Sequence, residues 1–515
     1  MLLVHPSLIS RIDKYASDSL GIFTHTLMGR AGRAVENAVR ECSELGARVS
    51  IFAGKGNNGG DGYAAALYLL EDYDVTVYDV FSAGQRSDEG KSFLAEYAAS
   101  GGRIEPLTFD ENQVLDIAKS AVVVDAVFGT GFCGALPEIA LKLAKLIGSL
   151  DGVCRIAVDV PLGVDAALGA VDFEVVYRAD ATVVLGFVKT GLVSYPAKEY
   201  VGKLIYDNLG LQKDEILRNF TVDSYCIDQE IARELLPQRA ENSNKGSFGK
   251  LLMLTGSSRY PGAAHLSLEA ALRSGVGYVT FMGEKELTDT LLPKLPEAIY
   301  RTFSPTNASF DELAELITLS SSHSAILVGS GSSRSEGLFR LLECLLETNG
   351  APLILDADAI NVLSEHPDTA KRLISHSPRK VVLTPHPLEL SRVSGIPTDI
   401  IQQNRLAVAK DFAREHSCIL VLKGAGTVVT DGEVTYVNSS GSSALAKAGS
   451  GDVLAGHLAA LVASGIDPLS ASALAVYLHG RAADALSEEL SDFGVIPSDL
   501  PREIARQISK ISTSN

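Results

Sequence analysis

Tryptophan is missing from the 515 residues, and that absence by itself excludes nothing. Other absences exclude more. No stretch reaches the roughly 18 uncharged apolar residues of a membrane-crossing helix. There is no C-x-x-C pair and no His/Cys metal spacing, so a zinc module is not expected. The six cysteines, Cys42, Cys133, Cys154, Cys226, Cys344 and Cys418, are dispersed, which predicts reduced and mostly buried thiols. The opening MLLVHPSLISRIDK has no basic segment and only four apolar residues before His5-Pro6, which does not read as a secretory signal; a cytoplasmic location is expected. Basic residues are also in deficit: 45 Lys and Arg against 63 Asp and Glu give a net charge of −18. A chain so acidic repels nucleic acid and anionic membranes, and any phosphate it binds must be held locally.

What is present is an ordinary globular composition, 46% hydrophobic and 21% charged. At about 150 residues per domain the length predicts roughly two to four domains. From residue 48, β-rich runs alternate with helical ones: RVSIFAG, YAAALYLLEDY, VTVYDVF, KSFLAEYAAS, AVVVDAVFG, IALKLAKLIGSL, CRIAVDV. This is the pattern of a parallel sheet covered on both faces. After the aperiodic stretch 233–249 it restarts with GKLLMLTG, SAILVGSG, PLILDADA, KVVLTPH and CILVLKGAGTVVT. Two α/β domains are predicted, at 1–212 and 225–515.

In the first half, Gly54 to Gly62 (GKGNNGGDG) follows a strand and opens a helix, with five glycines in nine positions. Such a turn lets backbone approach a ligand and offers helix N–H groups to an anion, although a plain tight turn has the same composition. Two further strand ends carry Asp125 before Gly129-Thr130-Gly131, and Asp159 before Pro161-Leu162-Gly163. Ligands of open α/β sheets bind beyond the carboxyl ends of strands, so the three loops are expected to line one crevice. The alternative for Asp159 is a turn or capping carboxylate.

These segments, with Ile12-Asp13, Leu27 to Gly32 and Ala179 to Gly191, resemble the NAD(P)H-hydrate epimerase domain. The resemblance implies a Rossmann-like fold. It implies that Asn57, Asn58, Gly59, Gly60, Asp61, Gly129, Thr130, Gly131, Phe132, Cys133, Gly134 and Ala135 hold the dinucleotide, with Asp159 as acid/base. It further implies K⁺ at Asn58, Asp125 and position 162. The family has serine there; this chain has Leu162, whose side chain cannot coordinate a cation, so backbone carbonyls or water would have to serve.

In the second half, Ala448 to Gly456 (AGSGDVLAG) heads a helical run. Gly449 and Gly451 leave the turn open, the helix N-terminus faces incoming negative charge, and Asp452 is able to take a hydroxyl proton; an ordinary helix cap is the alternative. Lys423-Gly424-Ala425-Gly426-Thr427 follows a strand and reads as a nucleotide-contacting turn with Lys423 available to phosphate. His386 sits between two prolines, and Asp356 and Asp358 form a carboxylate pair. With KGSFG, GSSRYPGAA, LDADAIN, TPHPLE and VYLHG in order, this half resembles the ribokinase-like, ADP-dependent NAD(P)H-hydrate dehydratase domain. The resemblance implies that Ala263, Gly331, His386 and Asp452 contact the hydrated dinucleotide, and that Lys423, Gly424, Ala425, Gly426, Thr427 and Gly451 contact ADP, with Mg²⁺ held through phosphates and water. Lys447 and Ala448 depart from the family's T-G-G before S-G-D, adding a cation and a methyl near the anion site.

Together the halves resemble the bifunctional NAD(P)H-hydrate repair enzymes. That implies epimerisation of the R and S hydrates by the first domain and ADP-dependent dehydration of the S hydrate, giving NAD(P)H, AMP and phosphate, by the second. Small molecules are the expected partners, with no nucleic acid or membrane, and a homo-oligomer is expected. The alternative is a ribokinase-like small-molecule kinase fused to a non-catalytic dinucleotide-binding module.

Overall fold

A computed structural model describes the chain apart from residues 82–85, 133, 172–176, 306–307 and 514–515. It separates into two compact units, Leu2–Ser224 and Tyr225–Asn515.

The first unit is built on seven parallel strands: β1 (Arg48–Ala53), β2 (Asp74–Asp79), β3 (Arg103–Pro106), β4 (Val122–Ala126), β5 (Cys154–Val158), β6 (Ala181–Leu185) and β7 (Lys203–Asp207). Their order is β3-β2-β1-β4-β5-β6-β7. The chain therefore reverses direction between β1 and β4, the switch point where loops diverge and leave a crevice. Helices α1 (Pro6–Leu20), α2 (Thr24–Cys42) and α3 (Asn57–Leu69) lie towards that crevice. Beside the main sheet, Leu2–Val4 pairs in parallel with Val188–Lys189, placing Lys189 opposite Val4.

The second unit has strands β8 (Lys250–Leu254), β9 (Tyr278–Gly283), β10 (Ile299–Thr302), β11 (Ala325–Val328), β12 (Leu353–Leu355), β13 (Val381–Leu383), β14 (Ile419–Leu422), β15 (Val428–Thr430) and β16 (Thr435–Asn438). Their order is β10-β9-β8-β11-β12-β13-β14-β15-β16. The strands are parallel up to β14, and β15 and β16 run antiparallel. Alternate residues of one strand feed different cores: Leu251 and Met253 pack on one face, Leu252 and Leu254 on the other. Covering helices include α4 (Pro261–Arg273), α5 (Asp358–Ser364), α6 (Pro387–Ser394), α7 (Ser450–Ala463) and α8 (Pro468–Gly494). A sheet apolar on both faces needs helices on both, so each unit has three layers.

The expectation of mostly buried thiols is corrected. Of the five described cysteines, Cys226 and Cys418 are buried, Cys42 is exposed, and Cys154 and Cys344 are intermediate. Cys42 ends a helix and Cys154 begins a strand, positions that reach the surface whatever their polarity.

Candidate functional site

In the first unit the carboxyl ends of β1, β4 and β5 open onto a cavity of about 800 Å³. Asp13, Asp61, Asp159 and Lys189 line it, as do Asn57 and Asn58 at the mouth of α3. The Asp159 backbone adopts a left-handed φ of 66°. A non-glycine residue there costs on the order of 1–3 kcal/mol and persists only where its surroundings hold it. They do: Asp159 Oδ1 forms an ion pair with the Lys189 ammonium and accepts the Leu185 N–H at 3.3 Å. Lys189, 1% exposed, also donates to the Leu185 carbonyl at 2.7 Å. Burial raises the Asp13 carboxyl to about 6 against the lowering field of Lys189, and pushes Asp61 well above the usual carboxylate range with help from Asp159 and Asp13.

The potassium residues divide. Asp125 is 1% exposed; its Oδ2 accepts from Leu162 N–H at 2.8 Å and Tyr177 O–H at 2.7 Å, and its Oδ1 from Val127 N–H at 3.1 Å. A carboxylate oxygen has two acceptor positions, so Oδ1 keeps one. Asn58 is buried with its Nδ2 unpartnered. Asp125 has capacity for a cation shell, and Asn58 offers its amide oxygen alone, since an N–H donor binds no cation. The Leu162 side chain offers nothing: it is packed with Phe52, Val127 and Leu143, so a side-chain ligand at this position is ruled out.

Gly59 and Gly60 are buried and do not line the cavity. A methyl on Gly59 would fall 1.9 Å from the Gly54 carbonyl oxygen, and one on Gly60 2.6 Å from Met28 Sδ. They are glycines because α3 packs closely on the chain around it. Gly129, Thr130, Gly131 and Phe132 line the large cavity, whereas Gly134 and Ala135 line a separate one of about 220 Å³ beside Leu162. Cys133 lies outside the described residues.

In the second unit the corresponding loops meet at the N-terminus of α7. Gly449 (φ 104°) turns the chain into the helix, and Asp452 stands in its first turn. A methyl on Gly451 would lie 3.4 Å from Lys423 Nζ, so the ammonium borders the helix mouth. Lys423 donates to Asp356 Oδ1 at 2.9 Å and lies 3.9 Å from Glu389. Burial alone would lower the Lys423 pKa; Asp356 and Glu389 outweigh it and raise it. Lys423, read from sequence as available to phosphate, is also one end of a partly buried ion pair, with donors left over since an ammonium has three. Asp356 and Asp358 are not a matched pair. Asp356 is buried and also accepts from Thr384 Oγ1 at 2.7 Å and Ser330 Oγ at 2.8 Å, while Asp358 accepts the Ser333 N–H at 2.9 Å. Asp452 makes no hydrogen bond or ion pair among the described residues, and burial, with Asp356 and Asp358, lifts it to about 7 against Lys423.

His386 caps α6, its Nδ1 accepting the Glu389 N–H at 3.2 Å, while its side chain stays 46% exposed; it is a cap and an accessible ring together. Ala263 and Gly331 adjoin, since a methyl on Gly331 would come within 2.6 Å of the Ala263 Cβ. Lys447 donates to the carbonyls of Phe493 (2.8 Å) and Val495 at the end of α8. No cluster of three or more metal-ligating side chains occurs among the described residues.

Residues 251–506 match the NAD(P)H-hydrate dehydratase family, and residues 24–191 match that of the YjeF-related protein N-terminus. A bifunctional NAD(P)H-hydrate repair enzyme of Moorella thermoacetica is 34% identical, over 97% of this chain and 95% of its own. That of Coxiella burnetii is 34% identical, over 96% of each. The chain belongs to the family of bifunctional NAD(P)H-hydrate repair enzymes. Among solved structures, the ADP/ATP-dependent NAD(P)H-hydrate dehydratase of Bacillus subtilis, co-crystallised with ATP and Mg²⁺, is 32% identical. It covers 56% of this chain and 98% of its own, with a TM-score of 0.50.

Three residues that sequence reasoning gave no role stand at these candidate sites. Lys189 and Asp13 lay inside quoted motifs, but nothing in a linear text says that both reach Asp159. Arg405, 4% exposed, donates to the carbonyls of Leu422 (2.9 Å) and Lys423 (3.2 Å) and so fixes the start of the KGAGT turn. It carries no sequence signal beyond being an arginine on a helix.

Proposed function

We propose that the first unit interconverts the R and S hydrates of NAD(P)H and that the second restores NAD(P)H from the S hydrate at the expense of ADP. The observation that carries this reading is Asp452: a carboxylate with no partner among the described residues, at a helix mouth bordered by a lysine. An unpaired carboxylate near pH 7 is suited to accept a proton at the pH where the reaction runs.

The chemistry follows from those groups. Asp452 takes the proton of the ring hydroxyl as that oxygen attacks the terminal phosphorus of ADP; the bond to AMP breaks, and AMP leaves. The N–H groups of Gly449 to Gly451 face the charge spread over the transferring phosphoryl group. Phosphate then departs from the ring carbon while a neighbouring C–H gives up its proton, and the ring double bond returns. A hydroxyl on a saturated carbon leaves poorly; its phosphate ester leaves readily. Ala263, Gly331 and His386 would border the hydrate, and Lys423 to Thr427 with Gly451 the nucleotide. Mg²⁺ arriving with the nucleotide would neutralise phosphate charge through phosphate oxygens and water.

In the first unit Asp159 would serve as acid/base and Lys189 would hold its geometry. Asn57, Asn58 and Asp61, with Gly129 to Phe132, would lie along the dinucleotide. K⁺ would be held by Asn58 and Asp125 with the backbone at Leu162, supplying fixed positive charge near the dinucleotide phosphates.

The test is to incubate the protein with mixed hydrate epimers and Mg²⁺, with ADP or ATP, and follow the absorbance of the reduced ring. Complete return with ADP supports the reading. Nucleotide consumption with no return, and phosphorylation of another small alcohol, would instead identify a kinase fused to a binding module.

A further inference from the structure

Asp13 projects from α1 into the same 800 Å³ cavity as Asp159 and Lys189. Among the described residues neither Asp13 nor Asp61 makes a hydrogen bond or ion pair, whereas Asp159 is clamped by Lys189. An unpartnered carboxyl beside a buried ion pair is costly to keep unless a ligand uses it.

Epimerisation needs two proton-handling groups, and this argument rests on the epimerase reading above. The inverted carbon bears a hydroxyl and adjoins the ring nitrogen. Opening the ring takes the hydroxyl proton to a base while the carbon–oxygen bond becomes a double bond. The carbon–nitrogen bond breaks, its electron pair goes to nitrogen, and an acid supplies a proton there. After rotation, nitrogen closes on the opposite face and both protons return, with no net change in charge or oxidation state. One carboxylate cannot be base and acid at once.

We infer that Asp13 is the second acid/base of the epimerase, giving a proton to the ring nitrogen while Asp159 takes the hydroxyl proton. Asp61 is less suited: burial holds its proton well above the usual carboxylate range, so it remains a neutral donor. Asp13, at about 6, exchanges its proton near neutrality. The charged or titratable groups facing it across the cavity are Asp61 from α3, Asp159 after β5, Lys189, His5 before α1 and Lys55 in the glycine loop.

The test uses full-length protein carrying Asp13→Asn, Asp13→Glu or Asp159→Asn. Conversion of R to S hydrate is measured without nucleotide by separating the epimers, with the spontaneous rate subtracted; S-hydrate turnover with ADP and Mg²⁺ reports the second unit. Asp13→Asn should lower kcat for R to S by roughly 100-fold or more, the size of a general acid contribution, with KM within a few-fold and S turnover unchanged. In the wild type kcat should fall as pH rises past about 6, where Asp13 loses its proton. Asp13→Glu should recover part of kcat and move that limb. Wild-type kcat in Asp13→Asn, or a rise in KM alone, overturns the inference. So does equal inactivity of the Asn and Glu variants, since a carboxyl would then not be what matters. If Asp159→Asn also converts R hydrate normally, the epimerase reading itself falls, which separates the two failures.

Discussion

The two candidate sites use the same pair of residue types with opposite wiring. In the first unit the lysine grips the aspartate proposed to react, Lys189 on Asp159. In the second, Lys423 grips a different one, Asp356, and Asp452 has no partner among the described residues. A carboxylate clamped by an ammonium is held in place and in charge, whereas one half-buried without a clamp keeps its proton until about pH 7. The clamped arrangement suits a group that must return a proton it has borrowed; the unclamped one suits a base that acts once per turnover.

The comparison breaks most sharply at Asp452. Asp452→Asn should reduce dehydration of the S hydrate by about 10²–10⁴-fold, the range of a general base, while epimerisation continues at the wild-type rate. Rates on separated epimers check both halves of that statement. Next in size is Lys189→Met, which strands Asp159 as a buried charge. It should destabilise the first unit by ~3–5 kcal/mol and abolish epimerisation, read by thermal denaturation and by R-hydrate conversion. A matching loss at Lys423 is not expected to destabilise as much, because Asp356 retains Thr384 and Ser330.

A smaller effect tests the unclamped half. Dehydration should rise with pH through about 7 as Asp452 becomes a carboxylate. Asp356→Asn removes one of the charges that raise Asp452 and releases Lys423 to lower it further, so the limb in kcat/KM for S hydrate should move below pH 7. The smallest effect is at Lys447. Its contacts lie at the end of α8, so Lys447→Met should cost about 0.3–1 kcal/mol of stability and leave nucleotide affinity unchanged by titration. Weaker nucleotide binding would mean that its charge reaches the anion site.

Much of this was legible in the residues. Strand and helix periods, the three glycine loops and G-S-G-D stand in the text because local geometry demands particular residue types there. What was hidden concerns partners across the fold. Asp356 and Asp358 look alike in LDADAIN, yet one is a buried ion-pair member and the other receives a backbone N–H, a difference set by β13 and β14 alongside. Gly59 and Gly60 look like ligand-facing glycines, and their freedom is spent instead on packing against Gly54 and Met28. Lys447 reads as a cation beside an anion site until the end of α8 is seen to take it. Lys189 becomes informative only when a two-residue strand brings it under Asp159.

The central claim is that two independent sites perform two successive steps, and a mixing experiment tests it most directly. Asp159→Asn and Asp452→Asn proteins are each given an equilibrium mixture of hydrate epimers with ADP and Mg²⁺, then combined. The first alone should restore absorbance for the S fraction and then slow to the spontaneous rate, the second alone should restore almost none, and the two together should restore it completely. A mixture that recovers no more than the Asp159→Asn protein alone would contradict the account.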